Sequence, residues 1–257
     1  MKNTKDSVNA TRSLELTRSA LDVLWESEGL IAVNKPAGVL SQGGSLDGER
    51  TRGGRGDVNL VDLAKAHFPA RENGRQFHVE RAGVLHRLDR NVSGIVLIAL
   101  QHDVAEAMSK AFASGSVERR YEAVVRGRLL DDEREINAPL AKDPRTNLVR
   151  VTSALDAQGK ASLTKVRVRA RFQAPMGRLM EVDLWPITGR SHQLRAHLLS
   201  IECPIVGDPK YGVPARGVHR PLLHATEIAF VHPRTKEPVR ITCAPPWQSD
   251  ALRLLRR

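Results

Sequence analysis

The stretch GVLHRLDRNVSGIVLIAL, residues 83–100, places a short charged segment directly before a long apolar run. Asp89 lies between Arg87 and Arg90, and the residues from Ile95 onward are typical of a buried β-strand. The strand would fix the backbone, so we expect Asp89 to be held at the entrance to the core. A carboxylate beside a guanidinium stays ionised and can act as a nucleophile or an electrostatic stabiliser. The simpler interpretation is a structural ion pair or a helix cap.

Charge and composition favour a polyanionic partner. The chain of 257 residues carries a net charge of +11, and 30 of its 40 basic residues are arginines, whose guanidinium groups match phosphate oxygens. A genome rich in arginine codons would give the same balance. The 10 aromatic residues are too few for a broad base-stacking surface. We therefore expect contacts to a nucleic-acid backbone and one narrow pocket.

The chain shows no sign of a membrane segment or of a metal site. No apolar run reaches the length of about 18 residues that spans a bilayer, and the first residues lack the apolar core of a secretory signal. We predict a cytoplasmic protein with a flexible arm over 1–20 and one domain over 21–257, interrupted by a mobile Gly-rich insertion around 41–59. Cys203 and Cys243 belong to no Cys/His cluster, which favours two incidental thiols.

Strand patterns outnumber helical ones. Helices are predicted over 60–68, 101–115 and 188–202. Strands are predicted over 22–26, 30–34, 94–100, 119–127, 148–152, 162–172, 178–185, 222–230 and 239–243. Because strands and helices do not alternate strictly, we predict an α+β fold with a mixed, mainly antiparallel sheet.

The third predicted helix, TGRSHQLRAHLLSIE, carries a second candidate group. We expect Ser191 to cap it, and Leu194, Leu198 and Ile201 to be buried. His192 and Arg195 share a face set away from this apolar stripe, so Arg195 is either solvated or directed at Asp89 or a phosphate. His192 and His197 are five positions apart, which is unsuitable for a metal pair on one helix.

Three further positions are candidates for chemistry. Tyr121, in RRYEAVVRG, is either a core residue of a strand or a ring that stacks on one extruded base. Chemistry of the glycosidase type needs a second carboxylate, for which Glu80 and Asp208 are the candidates. Neither lies in a segment that directs it toward Asp89, so chemistry with one essential carboxylate fits better.

These segments also resemble a known family. HRLDRNVSG is similar to the HRLD-x-x-TSG signature of the RluA-type RNA pseudouridine synthases. Further blocks follow in the family's order: VNKPAGVL at 33–40, RRYEAVVRG at 119–127, GKASLTKVRV at 159–168, PITGRSHQLRAHL at 186–198, CPIVGDPKYG at 203–212 and LLHA at 222–225. The resemblance covers about residues 22 to 245. It implies the pseudouridine synthase fold, a bisected, mainly antiparallel sheet flanked by helices with a central cleft.

The resemblance also implies an activity and residue roles. The activity is conversion of uridine to pseudouridine in RNA, without a metal or an organic cofactor. Asp89 matches the essential carboxylate, Tyr121 the active-site tyrosine that packs on the base, and Arg195 the arginine that pairs with the carboxylate. Arg87 matches the residue that fills the space left by the flipped nucleotide. Val92 replaces the family's Thr, which removes a hydroxyl but keeps a β-branched side chain.

Three hypotheses follow. The leading one is a monomeric isomerase acting on structured RNA, with ribosomal RNA slightly favoured over transfer RNA. The alternative is a non-catalytic RNA-binding or assembly protein with the same fold, which the net charge of +11 would also suit. A third is an N-glycosidase that releases free uracil.

Overall fold

A computed structural model describes residues 21–43, 58–68, 71–72, 75–76 and 83–247. The predicted N-terminal arm lies outside these residues, as does most of the predicted insertion, positions 44–57. Within the described part of the chain, no helix is long and apolar enough to cross a membrane.

The described residues form three helices and thirteen strands. The helices are α1 (Leu60–His67), α2 (His102–Ala113) and α3 (Gln193–Ser200). The strands are β1 (Val23–Ser27), β2 (Leu30–Lys35), β3 (Arg71–Glu72), β4 (Arg75–Gln76), β5 (Ser93–Ala99), β6 (Glu118–Arg126), β7 (Glu133–Asn137), β8 (Leu140–Lys142), β9 (Val149–Val151), β10 (Leu163–Ala174), β11 (Gly177–Pro186), β12 (Leu223–Val231) and β13 (Pro238–Thr242). Every predicted element is present within a few residues of its predicted ends. Strands β3, β4, β7 and β8 were not predicted.

Nine strands form one sheet, and two short two-stranded sheets lie beside it. The order in the large sheet is β1-β2-β5-β12-β6-β11-β10-β7, with β13 also paired to β12. All of its pairings are antiparallel except that of β5 with β12, which consists of two residue pairs, His224–Ser93 and Ala225–Gly94. The sheet is therefore divided across its middle, and the predicted α+β fold with a bisected sheet is confirmed.

Gly94 permits the close approach of the two halves. Its φ is +120°, and a Cβ atom at this position would lie 2.4 Å from the carbonyl oxygen of Ala225. Only glycine combines this backbone conformation with that spacing. Every residue of β5 is buried, because separate apolar clusters pack on its two faces. Its continuous apolar sequence thus reflects a strand covered on both sides.

The start of α3 differs from the prediction. The residue at its N-terminal boundary is His192, in the left-handed region with φ 51° and no capping side-chain hydrogen bond, so Ser191 is not the cap. The side chain of Gln193 instead fixes the segment before the helix, since its Oε1 accepts hydrogen bonds from the Thr188 hydroxyl (2.7 Å) and the Arg190 N–H (3.0 Å). His192 consequently lies just outside the helix.

The structure decides between the two interpretations of Arg195. Leu194 and Leu198 are buried as expected and Ile201 is partly buried, and the side chain of Arg195 is buried as well, which excludes a solvated position. The helix packs against β9, and its Ala196 belongs to a separate apolar cluster formed by Leu140, Val149, Ala196 and Tyr211. A second layer of structure therefore covers the face of α3 that carries Arg195.

Candidate active site

The backbone around Asp89 is fixed by bonds to another loop. The Ser41 hydroxyl accepts a hydrogen bond from the N–H of Leu88 (3.1 Å) and lies 3.0 Å from the Leu88 carbonyl oxygen. The N–H of Gly38 donates to the carbonyl of Arg90 at 2.8 Å. These contacts bracket Asp89, whose side chain is 29% exposed. The prediction of a positioned, partly accessible carboxylate agrees with this geometry.

Val92 closes the turn from the other end. Its N–H donates to the carbonyl of Asp89 at 3.0 Å, and its side chain, 2% exposed, packs in the main apolar cluster. The turn is thus closed by a backbone hydrogen bond while the two methyl groups are buried. This accounts for valine at a position where the resembling family has threonine.

Arg195 joins two carboxylates that are far apart in the sequence. Its Nη1 donates to Oδ2 of Asp89 at 2.7 Å, and its Nε and Nη2 donate to the two oxygens of Asp208 at 2.6 and 2.8 Å. Burial by itself lowers the pKa of Arg195, but hydrogen bonds and charge from Asp208 and Asp89 outweigh burial and raise this pKa. The guanidinium is therefore a permanent cation, directed at Asp89 as the second interpretation of this residue proposed.

Asp208 does not have the position expected of a second catalytic acid. Its side chain is 0% exposed, and Oδ1 also accepts the backbone N–H groups of Lys210 and Tyr211 at 2.9 and 3.1 Å. Burial raises its pKa, but the Arg195 guanidinium and these N–H groups together hold the pKa of Asp208 below its ordinary value. It remains an anion that holds Arg195. The other candidate, Glu80, lies outside the described residues.

Tyr211 and His192 pack around Arg195 and Asp89, although neither was predicted as a site residue. The Tyr211 ring lies under the Arg195 guanidinium, with 4.7 Å between Cζ and the ring centroid. The Tyr211 hydroxyl accepts the N–H of Val149 and lies 2.7 Å from Nδ1 of His192. The other ring nitrogen of His192 is 3.8 Å from Oδ1 of Asp89. The block CPIVGDPKYG, which contains Asp208 and Tyr211, was the sequence feature that could have indicated Tyr211.

The two histidines near α3 do not make a metal site. His197 is buried, and its ring nitrogens lie 2.9 Å from the Thr164 hydroxyl and 3.0 Å from the carbonyl oxygen of Ala138. Among the described residues, no group of three or more His, Cys, Asp or Glu side chains could hold a metal ion.

Tyr121 is placed on β6 between β12 and β11, where it pairs with Ala225 and Leu184. It is 7% exposed and belongs to the main apolar cluster. Burial raises the pKa of Tyr121; Arg119 lowers it and Asp89 adds to the rise. The hydroxyl is therefore neutral at physiological pH and lies within electrostatic range of Asp89. The structure thus brings Asp89 and Arg195 into contact, and it packs Tyr121 in the same apolar cluster as Leu88 and Val92, on either side of Asp89.

The arginines that flank Asp89 have different environments. The side chain of Arg87 is exposed beside the turn. Arg90 donates from Nε to the carbonyl of Gly38 at 3.1 Å, which ties it to the neighbouring loop. Arg87 is therefore the more exposed of the two.

Lys35, at the end of β2, was not singled out from the sequence, although it lies in the block VNKPAGVL. It is 0% exposed, and its ammonium donates to the carbonyls of Pro36, Val39 and Arg90 at 3.0, 2.7 and 3.1 Å. Burial lowers the pKa of Lys35 to about 7, even though Asp89 acts in the opposite direction. The side chain links two loops beneath Asp89.

Comparison with known proteins gives consistent results. The model of the family described as RNA pseudouridylate synthase matches residues 29–200. Ribosomal large subunit pseudouridine synthase D of Xanthomonas campestris pv. campestris is 32% identical over 91% of this chain and 68% of its own length. The dual-specificity RNA pseudouridine synthase RluA of Pasteurella multocida is 34% identical over 88% of this chain and 93% of its own. The tRNA pseudouridine synthase C of Vibrio cholerae is 32% identical over 86% and 89%.

The fold agrees with a solved structure. Human RNA Pseudouridylate Synthase Domain Containing 1 superposes with a TM-score of 0.69, at 24% identity, over 88% of this chain and 84% of its own.

Proposed function

The chain belongs to the RNA pseudouridylate synthase family and is an RNA pseudouridine synthase, and we propose that its substrate is ribosomal or transfer RNA. Ribosomal RNA is slightly favoured, because relatives of both kinds match at similar identity but the ribosomal one matches over the larger share of this chain. The non-catalytic alternative is not supported, since the relatives are enzymes over nearly the whole chain.

The proposed reaction is an isomerisation within one nucleotide. The N1–C1′ glycosidic bond breaks, the uracil turns in the pocket, and C5 bonds to C1′ while the C5 proton leaves and N1 gains one. Atoms and oxidation state balance, so we propose that no cofactor takes part. The target must leave the base stack, because an enclosed pocket cannot reach the glycosidic bond of a stacked nucleotide. We propose that Arg87 fills the resulting gap.

The contact between Asp89 and Arg195 is the observation that carries this proposal. Their hydrogen bond, 2.7 Å long, holds a carboxylate that is still 29% exposed and lies four residues before β5. We propose that Asp89 is the essential catalytic group, that Arg195 orients it, and that Tyr121 packs on the base and helps to remove the C5 proton. A preorganised carboxylate of this kind needs little rearrangement during reaction.

Replacing Asp89 by Asn tests the proposal. We expect Asp89→Asn to fold normally and to form no pseudouridine in unmodified transcripts of ribosomal and transfer RNA, as measured by mass spectrometry of the digested RNA. Asp103→Asn, which removes an exposed carboxylate paired with Arg234, is the control and should keep full activity. Full activity of Asp89→Asn would contradict the proposed mechanism, and release of free uracil by the wild type would identify an N-glycosidase.

We also propose that residues 21–257 form a single catalytic domain, that the enzyme works as a monomer, and that it works in the cytoplasm. The main apolar cluster supports the first point, since it includes residues from Leu21 to Ala225. The ribosomal and transfer RNA specificities in the names of the relatives support the last.

A further inference from the structure

Two buried nitrogen atoms near the Asp89 turn have no hydrogen-bond partner among the described residues. They are Nδ1 of His86 and Nε of Arg119. Both side chains lie against Phe112 of α2: the His86 ring centroid is 5.2 Å from that of Phe112, and Cζ of Arg119 is 5.9 Å from it. Buried donors are nearly always satisfied in folded proteins. An acceptor from outside the chain would satisfy both atoms.

The ring of His86 presents an N–H group there. The backbone N–H of Leu97 donates to Nε2 at 3.1 Å, so Nε2 carries no proton and the neutral ring carries its proton on Nδ1. Burial, with a smaller effect of Arg119, lowers the pKa of His86 to about 3. The ring is therefore neutral at physiological pH and offers one unused donor.

Arg119 brings a positive charge that no described carboxylate neutralises. It lies two positions before Tyr121 on β6, so both side chains point to the same face of the sheet. Its Nη2 donates to the carbonyl of Pro186 at 3.2 Å, and a Cβ atom on Gly189 would lie 3.4 Å from its Nη1. Thus the guanidinium lies against the loop that leads into α3.

Arg120, the next residue on the same strand, makes the contrast clear. Its guanidinium lies on the opposite face and contacts three carboxylates, those of Glu122, Asp183 and Glu227. Arg119 has no such partner among the described residues and keeps its unbonded Nε. An anionic partner from outside the chain would satisfy both its charge and its donor.

We propose that Arg119 and His86 form a subsite for a backbone phosphate of the RNA strand that carries the target uridine; this inference rests on the proposed function. A guanidinium with free N–H groups beside a neutral imidazole N–H matches the several oxygens of a phosphate. The subsite lies beside the candidate active site, because Arg119 is on the same face of β6 as Tyr121 and His86 is three positions before Asp89. A phosphate bound there would orient the strand as it enters the cleft.

The test compares Arg119→Ala with Arg126→Ala. Arg126 is an exposed arginine at the end of the same strand, so both changes remove one positive charge. Each is made in the Asp89→Asn background, and binding to unmodified transcripts of large-subunit ribosomal RNA and pooled transfer RNA is measured over a range of KCl concentrations. We expect Arg119→Ala to weaken binding roughly tenfold and to reduce the slope of log K against log salt by about 0.7. Arg126→Ala should change neither quantity.

Turnover gives a second measurement with Asp89 intact. A phosphate contact that does not touch the reacting atoms binds ground state and transition state alike, so KM of Arg119→Ala should rise roughly tenfold while kcat stays within about twofold. An affinity, salt slope and KM equal to those of Arg126→Ala would overturn the subsite. A weaker affinity with an unchanged salt slope would also overturn it, because it would indicate a neutral acceptor.

Two further outcomes are separable. Should Arg119→Ala unfold by circular dichroism, Arg119→Lys decides: it keeps the charge but loses the Nε donor, so we expect an intermediate affinity with the wild-type salt slope. Wild-type affinity of that variant would overturn the role of Nε. Absence of pseudouridine formation by the wild type would refute the proposed function, whereas the binding comparison tests the phosphate subsite on its own.

Discussion

Replacing Asp208 by Asn should disable the enzyme without touching a group that faces the substrate. The change keeps the size of the side chain but removes its charge. The guanidinium of Arg195 then loses the anion that accepts hydrogen bonds from its Nε and Nη2, at 2.6 and 2.8 Å. Its hydrogen bond to the Asp89 carboxylate remains. The new amide group has donors of its own, which would face the N–H groups of Arg195 or of the backbone.

The structure sets the expected size of the effect. Four hydrogen bonds to the Asp208 carboxylate are affected. The two from Arg195 join charged groups and are each worth about 1.5–3 kcal/mol, and the amide oxygen can recover part of one. Breaking a buried ion pair from one side costs about 3–5 kcal/mol. Because Asp89 still neutralises Arg195, we expect a loss of about 3 kcal/mol in the free energy of unfolding. A displacement of Asp89 by about 1 Å would lower the rate roughly a hundredfold.

Urea unfolding and single-turnover pseudouridine formation measure the two effects. The matched control is Asp103→Asn, since Arg234 also binds Asp103 through two nitrogens but at a surface where the carboxylate is 66% exposed. That change should cost less than about 1 kcal/mol and leave the rate unchanged. Wild-type stability and rate in Asp208→Asn would refute the view that Asp208 orients Arg195 and, through it, Asp89.

Two other predictions concern the supports of the site. Nζ of Lys35 should titrate near pH 7, as followed by the NMR shift of its Cε, because burial lowers its pKa to about 7. Between that pH and the ordinary pKa of about 10.4 the unfolded chain binds more protons than the folded one, so the contribution of Lys35 to the free energy of unfolding should rise with pH. A titration midpoint near pH 10 would contradict its burial. Gly94→Ala should lower the free energy of unfolding by at least about 3 kcal/mol, measured by thermal melting, since its Cβ would lie 2.4 Å from the Ala225 carbonyl oxygen. The control is Gly83→Ala, which places no atom within 4 Å of the added Cβ. Equal melting temperatures of the two variants would show that the contact between β5 and β12 does not need glycine.

Much of the fold could be predicted from local pattern. The alternation of β6 and the continuous apolar run of β5 predicted these strands, because strand period and two-sided burial leave direct traces in the sequence. The ordered family blocks supplied the fold and pointed to Asp89, Arg195 and Tyr121. These signals are local or carried by resemblance, so neither depends on knowing the three-dimensional contacts.

The capping of α3 and the burial of Arg195 could not be predicted in this way. Helical periodicity left Arg195 either solvated or directed at Asp89 or a phosphate, and the layer that contains Val149 and Tyr211 excludes the solvated position. The same layer places Asp208 against the guanidinium, so this candidate for a second carboxylate binds Arg195 instead. Local periodicity carries no information about a second layer.

The sequence alone therefore determined the class of fold and the order of the motifs, and it predicted Asp89 as the essential carboxylate. Only the tertiary structure decided how that carboxylate is held. Asp89 and Arg195 are 106 positions apart, and their hydrogen bond joins the turn before β5 to helix α3. Such a contact depends on how separate elements pack around one core, and no pattern of neighbouring residues encodes it.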